Sequence, residues 1–273
     1  MREDSQNVDK AGVSHWDSTG PNTHTPLESF EPTPGVRGFG RRMWHEMLSE
    51  ALADVMSPSA KLLELGCGGS ALLPYFANWL NFRVCGIDYS KGGIETARKL
   101  CAAHGVTPQL IYGNFFEVPE EHFGAYDAVV SFGVVEHFTD TSATIASFSN
   151  FVRPGGKLVT VVPNMKGLSG LGQRLLNRRI FEMHETIDPA RLRAAHDQAG
   201  LTVEACDYFM FNNFGVINPG SNPGWVKALA FTVLRALTGV AWCVESLIGR
   251  LPANGVTSPY VVVVAYKRDV QLK

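Results

Sequence analysis

Apolar positions follow two rhythms along this chain. Short apolar-rich runs fall at residues 61–65, 82–87, 108–112, 126–132, 157–163, 201–211 and 259–266. Between most of them, apolar residues recur every third or fourth position, the spacing of one helical face. The clearest such stripe is 37–56, where Phe39, Met43, Met47, Ala51 and Val55 return every fourth residue. Further helices are expected over 71–80, 90–104 and 140–152. Ser90 suits an N-cap, and Gly105 suits the residue just past a helix end. Asp188 and Pro189 read as the cap and first position of another helix, which closes at Gly200. Strands alternating with helices of about a dozen residues predict an α/β fold. Its expected form is a doubly wound, mostly parallel, seven-stranded sheet with helices on both faces.

The two ends depart from this alternation. Residues 1–14 are polar and unpatterned, which predicts a mobile tail. His15-Trp16-Asp17 precedes a proline-rich passage with Pro21, Pro26, Pro32 and Pro34, where an extended connection is expected. Trp16 and Phe30 either pack on the core surface or help the segment lie over a ligand as a lid. Residues 225–249 are apolar nearly all round, broken only by Lys227, Arg235 and Glu245. The length would span a bilayer, but three charges make insertion costly, so a membrane role is not expected. The stretch is expected to be largely buried, as a cap over a substrate pocket or as a homodimer interface. The expected organisation is a tail and lid segment over 1–36, then one domain over 37–273 with insertions at about 164–187 and 215–257.

Composition narrows the partners. The chain has 273 residues and a formal net charge of −2, so no global attraction to nucleic acid or anionic membrane is expected. No basic stripe with interleaved aromatics appears. The five cysteines are scattered without a C-x-x-C pair, which disfavours a disulfide framework and suits a reducing, cytoplasmic setting. No signal peptide is visible at the N-terminus. The histidines do not pair at i, i+4 on one helix, so no metal site is expected.

The chemistry gathers around Lys61-Leu-Leu-Glu-Leu-Gly-Cys-Gly-Gly-Ser70. A strand pattern runs into glycines and then into a helix. Gly66 and Gly68 allow a sharp turn and close approach of a ligand. Free N–H groups at the next helix start can receive polar ligand atoms. Asp88 ends the second strand about 20 residues on, where an acid can hold a ribose hydroxyl pair. Together these features predict a nucleoside-cofactor site.

The order of the pieces resembles the class I methyltransferases that use S-adenosylmethionine. Glu64-Leu-Gly66-Cys67-Gly68-Gly resembles the first motif of that family, and Val84-Cys-Gly-Ile-Asp88-Tyr89-Ser the second. Asp127-Ala-Val-Val-Ser-Phe132-Gly-Val-Val-Glu136-His137-Phe resembles the strand and loop leading to the catalytic face. Arg153-Pro-Gly-Gly-Lys-Leu resembles the turn before strand five. The resemblance covers roughly 58–211 plus the final strand. It implies that Asp88 holds the ribose and that Tyr89 and Phe115 flank the adenine, while the backbone near Phe132 meets the methionine part. The family usually has an acid where this chain has Asn114, whose carbonyl can still accept from the adenine amino group. Trp16 in the lid and Arg41 near the start of the 37–56 helix complete the expected cofactor contacts.

Methyl transfer from a sulfonium is a direct displacement that needs alignment, and a base only when the acceptor must lose a proton. His137 is the expected base, with Glu136 beside it and His184 on the segment that shapes the acceptor pocket. The expected function is methylation of a small molecule, in secondary metabolism. Within the same fold, the alternative is ring closure inside the cofactor with release of methylthioadenosine. A non-catalytic cofactor-binding partner is another. Gly66-x-Gly68-x-x-Ala71 also fits a nicotinamide-dinucleotide turn, but no second mononucleotide-binding half follows strand five.

Overall fold

In the computed structural model, which describes residues 7–18 and 30–269, the apolar runs form a single seven-stranded sheet. The strands are β1 (Lys61–Leu65), β2 (Arg83–Asp88), β3 (Gln109–Tyr112), β4 (Tyr126–Phe132), β5 (Val152–Pro163), β6 (Leu201–Phe209) and β7 (Tyr260–Lys267). Their order is β3-β2-β1-β4-β5-β7-β6. The first five pair in parallel, and β7 runs antiparallel between β5 and β6. Helices are α1 (Val13–Ser18), α2 (Phe39–Leu52), α3 (Leu72–Asn78), α4 (Lys91–Ala103), α5 (Thr141–Phe151), α6 (Leu168–Leu176), α7 (Arg178–Glu182), α8 (Pro189–Gln198) and α9 (Gly224–Ile248).

Strand periodicity divides the core into two layers. Leu62, Ala128, Val130, Val262 and Val264 face the layer that holds α2, α3 and α4. Leu63, Val129, Val261, Val263 and Ala265 face the layer that holds α5 and α8. Successive residues of a strand point to opposite faces, which is why these strands are apolar throughout. The expected caps are in place. Ser90 accepts from Gly93 N at 3.0 Å and Asp188 from Arg191 N at 2.9 Å, and Asp140, not named as a cap from the sequence, accepts from Ala143 N at 2.9 Å.

Several expectations need correction. The tail was expected to be mobile over 1–14, yet residues 7–14 are tied to the sheet's carboxyl edge. Asp9 bridges to Phe138, Lys10 N donates to His137 O at 2.8 Å, and Thr139 N donates to Val8 O at 3.1 Å. Backbone hydrogen bonds of this kind need no hydrophobic pattern, so the polar sequence concealed them. Pro21, Pro26 and the rest of 19–29 lie outside the described residues, as do 1–6 and 270–273. Phe30 packs edge-on against Tyr75, on the core surface. β5 starts earlier than expected and absorbs the Arg153-Pro-Gly-Gly turn as an irregularity in its pairing with β4. β6 stops two residues early because Met210 adopts φ 63°, which breaks an extended run.

The largest correction concerns α9. It was expected to be largely buried, but Thr238 and Glu245 are its only buried residues. Trp225 is 79% and Leu247 84% exposed. One edge of the helix packs, through Trp242 against Phe39, while the outer face stays open. An all-round apolar sequence says how much of a helix could be buried, not how much of it the rest of the chain reaches. By length and composition α9 could cross a membrane.

Candidate active site at the carboxyl edge of the sheet

Parallel strands bring their following loops to one edge. There the turn after β1, the acid ending β2, Asn114 after β3 and the Glu136–His137 loop after β4 lie side by side. The ladder fixes their spacing. Gly66 N and Cys67 N donate to Ile87 O, Gly113 N to Asp88 O, and Gly133 N to Val161 O.

The glycine turn is as constrained as its sequence suggests. Gly66 has φ 73°, and a Cβ there would lie 2.4 Å from Val134 Cγ2. A Cβ on Gly68 would lie 2.6 Å from Asp88 Oδ2 and 2.8 Å from Gly93 Cα. Asp88 accepts from Gly68 N and from Ser90 N, each at 2.7 Å. Two N–H donors leave further lone pairs on the carboxylate. Burial raises the Asp88 pKa, the Ser90 and Gly68 amides pull it back, and nearby Asp17 raises it again. Glu64 is buried, and its Oε2 has no hydrogen-bond partner. Burial pushes its pKa up to about 8, against the pull of Ser70 and with added repulsion from Asp88. Cys67 turns its side chain under the loop toward Gly86, so only its backbone faces the turn.

Crowded carboxyls beside a glycine turn fit a cationic ligand. S-adenosylmethionine, with its sulfonium and ammonium groups, relieves their repulsion, whereas the pyrophosphate of a dinucleotide would add to it. The burial of Glu64 has a measurable consequence. Its carboxyl is protonated in the fold below about pH 8 but ionises above about pH 4.5 once unfolded. The unfolded state therefore gains from ionisation as pH rises through this window, and stability falls. Glu64→Gln is expected to raise the melting temperature of the ligand-free protein by several degrees at pH 8, and not at all near pH 4.5. An equal change at both values, by calorimetric melting, would count against the buried neutral carboxyl.

The other expected residues are distributed as follows. Tyr89 donates to Asp9 Oδ2 at 2.7 Å and Ser90 Oγ to Asp17 Oδ1 at 2.7 Å, so α1 and the residues before it lie across the start of α4. Asn114 Oδ1 already accepts from Phe116 N at 3.1 Å. Phe115 is buried against Phe138 and Phe148, so its ring serves the core; Phe116 is the more exposed neighbour. Phe132 meets Trp44 at 5.3 Å between ring centroids, and Arg41 lies a turn ahead of Trp44 in α2. Trp44 also touches Phe209 and Tyr260. This aromatic wall was missed because its members are far apart in sequence. Asp9, Lys10 and Asp17 were missed for want of any pattern, although His15-Trp16-Asp17 had stood out.

Glu136, His137 and His184 meet. Their candidate donor atoms lie within 4.8 Å of one another, although no i, i+4 histidine pair announces it in the sequence. Sequence spacing could not reveal it, because α7 and the turn after it return to β4 through a backbone bond from Glu185 N to Glu136 O at 2.6 Å. His137 Nδ1 is paired with Met183 O at 3.1 Å and His184 Nδ1 with Ile180 O at 2.6 Å. The two rings stand 4.7 Å apart, and Trp16 packs edge-on against His137. Burial lowers the His137 pKa to about 4, helped by the nearby His184, and burial lowers His184 too. Glu136 is pushed up to about 8 by burial. Of the neighbouring acids, Glu182 points out to Arg178 and Glu185 pairs with Lys10 and Arg191. A separate cavity of about 340 Å³, lined by His45, Trp79 and Asn81 among others, lies at the amino edge, away from this chemistry.

Comparison with known proteins agrees with this fold. Residues 63–160 match a methyltransferase domain model. A ubiquinone biosynthesis O-methyltransferase of Xanthomonas axonopodis pv. citri is 29% identical, over 69% of this chain and 76% of its own. One from Methylobacterium nodulans is 28% identical, over 78% and 87%. Among solved structures, the [4+2]-cyclase SpnF superposes with a TM-score of 0.58 at 14% identity, covering 96% of this chain and 94% of its own. Geranyl diphosphate C-methyltransferase from Streptomyces coelicolor A3(2), solved with S-adenosyl-L-homocysteine, gives 0.54 at 16%, covering 91% and 89%. The motifs, the strand order and these relatives converge: the chain is a class I S-adenosylmethionine-dependent methyltransferase.

Proposed function

We propose that the protein transfers the methyl group to a hydroxyl oxygen of a small organic acceptor, as the setting in secondary metabolism expected from the sequence has it. The observation that carries this reading is the meeting of Glu136, His137 and His184 at the same sheet edge as the glycine turn and Asp88. An acceptor hydroxyl must shed a proton, and this is where polar groups able to receive it converge. The names of the curated relatives, O-methyltransferases of ubiquinone biosynthesis, support oxygen as the atom methylated.

In this reading Asp88 uses its remaining lone pairs for the ribose hydroxyls, and the backbone of Gly66, Cys67 and Gly68 lines the cofactor. Glu64 stands toward the methionine part, where Phe132 and Arg41 flank it. Asn114 takes the adenine amino group, between Tyr89 and Phe116. Residues 7–18 form the strap that covers the cofactor, with Trp16 closing over His137. The exposed face of α9 is the surface through which we propose a homodimer, to be read from the particle mass in solution.

The test is incubation with S-adenosylmethionine, alone and with a panel of hydroxylated aromatic acceptors, followed by mass spectrometry. S-adenosylhomocysteine and an acceptor heavier by one methylene group are expected only with an acceptor. Methylthioadenosine from the cofactor alone would replace this reading with internal ring closure.

A further inference from the structure

Glu136, His137 and His184 carry features that acid–base work does not require. Each Nδ1 faces a main-chain carbonyl, Met183 O for His137 and Ile180 O for His184. A carbonyl only accepts, so Nδ1 carries the proton in both rings and Nε2 is left as the lone-pair nitrogen. The centroids of these two imidazoles stand 4.7 Å apart. Beside them Glu136, only 1% exposed, has an Oε2 without a partner. An unpaired buried carboxylate oxygen is unfavourable unless something positive reaches it.

We propose that Glu136, His137 and His184 bind a divalent cation of the zinc class, with an open position toward the acceptor. Two imidazoles and one carboxylate are a known catalytic donor set for zinc, and imidazole ligands disfavour magnesium and calcium. Ligand bonds of about 2.0–2.2 Å put tetrahedral donor atoms about 3.4 Å apart. The candidate donor atoms lie within 4.8 Å of one another, so side-chain movements of about 1 to 1.5 Å would bring them to that spacing. The two carbonyls are the outer partners that metal-bound histidines almost always have; they fix the tautomer and the ring orientation. The Glu185 N to Glu136 O bond clamps the two ligand-bearing segments together.

The role of the cation rests on the hydroxyl-acceptor reading above. A bound cation lowers the pKa of a coordinated hydroxyl, so the acceptor binds as its oxyanion and its proton leaves to water. The oxygen lone pair then forms the O–CH3 bond as the S–CH3 bond breaks. The sulfonium becomes the neutral thioether of S-adenosylhomocysteine.

The test uses the full chain, stripped with chelator and then titrated with Zn2+ by calorimetry and with Co2+ by visible absorption. One equivalent should bind, with the intense d–d bands of a four-coordinate cobalt site. His184→Ala and Glu136→Gln should each weaken Zn2+ binding by at least tenfold, with circular dichroism verifying the fold. His122→Gln, outside the cluster, should leave stoichiometry and affinity unchanged. Absence of stoichiometric binding to the wild-type protein, or binding insensitive to both cluster variants, overturns the site. S-adenosylhomocysteine release that persists in metal-free protein overturns the cation's role while keeping methyl transfer. Stoichiometric, cluster-dependent binding without release from any hydroxylated acceptor upholds the cation and removes the hydroxyl reading.

Discussion

Asp88→Ala is expected to weaken S-adenosylmethionine binding by about 10- to 150-fold, the equivalent of a charged hydrogen bond at roughly 1.5–3 kcal/mol. The same carboxylate also secures the glycine turn to the start of α4 through Gly68 N and Ser90 N. Its removal leaves both amides without their partner, at about 1–3 kcal/mol for each that stays buried. Relief of the repulsion with Asp17 and Glu64 offsets part of this. Stability should therefore fall together with affinity. Asp88→Asn separates the two effects. An amide oxygen satisfies one backbone N–H, but the amide nitrogen then confronts the other as donor against donor. The Asn variant should hold its fold better than Ala and still bind poorly. Calorimetric titration at constant temperature decides the matter, and wild-type affinity in Asp88→Ala removes the ribose assignment.

Phe148→Ala is expected to cost about 3–5 kcal/mol, in the range measured for large aromatics removed from a core. Phe148 is fully buried in the layer beneath the Glu136–His137 loop, and Phe115 leans on it at 5.1 Å between ring centroids. Domains keep only about 5–15 kcal/mol of net stability, so a large share goes with one ring. The layer also contains Val135 and Phe138, which bracket Glu136 and His137. A cavity here loosens the loop that presents them, and acceptor turnover should fall further than the loss of folded protein explains. Urea unfolding with an unchanged slope gives the stability term. Phe148→Leu should recover most of it; a loss under 1 kcal/mol in Phe148→Ala would mean that the layer collapses to fill the space.

The parts legible in the sequence were those governed by local rules. Gly66 and Gly68 declared a turn, and Asp88 stood at the right distance to reach it. Ser90, Asp140 and Asp188 marked helix starts that the fold uses. Glu136 and His137 were recognisable because they end the fourth strand of a parallel sheet, where loops face the site. His184 was singled out too, but not as a neighbour of Glu136 and His137. Its meeting with His137 depends on how β5, α6 and α7 fold back over the edge, a tertiary matter with no periodic signature. Phe115 was assigned to the ligand because of its position after β3, and the core claimed its ring. Asp9 and Lys10 were invisible because hydrogen bonds to loops leave no trace in a hydrophobic pattern. The exposure of α9 was misread for the opposite reason: the pattern was strong, but burial needs a partner surface as well as an apolar helix.

β6 ends at Phe209 and β7 begins at Tyr260, and these two residues are register partners in the ladder. The excursion over 210–259, with α9 inside it, therefore leaves and rejoins the sheet at one place. The ladder has already met the entropy of closing that loop, so the excursion need not be folded for the sheet to stay closed. What holds α9 down is local: Trp242 Nε1 to Asn212 O at 3.0 Å, Thr238 Oγ1 to Asn212 Oδ1 at 3.0 Å, Arg250 paired with Glu46, and Phe231 and Leu234 packed on a small cluster of Leu176, Phe214 and Ile217. These few contacts set a separate and smaller free energy of opening than that of the sheet. α9 is thus an appendage tethered at one point of the sheet, and its opening would leave the strands that carry the methyl-transfer edge paired.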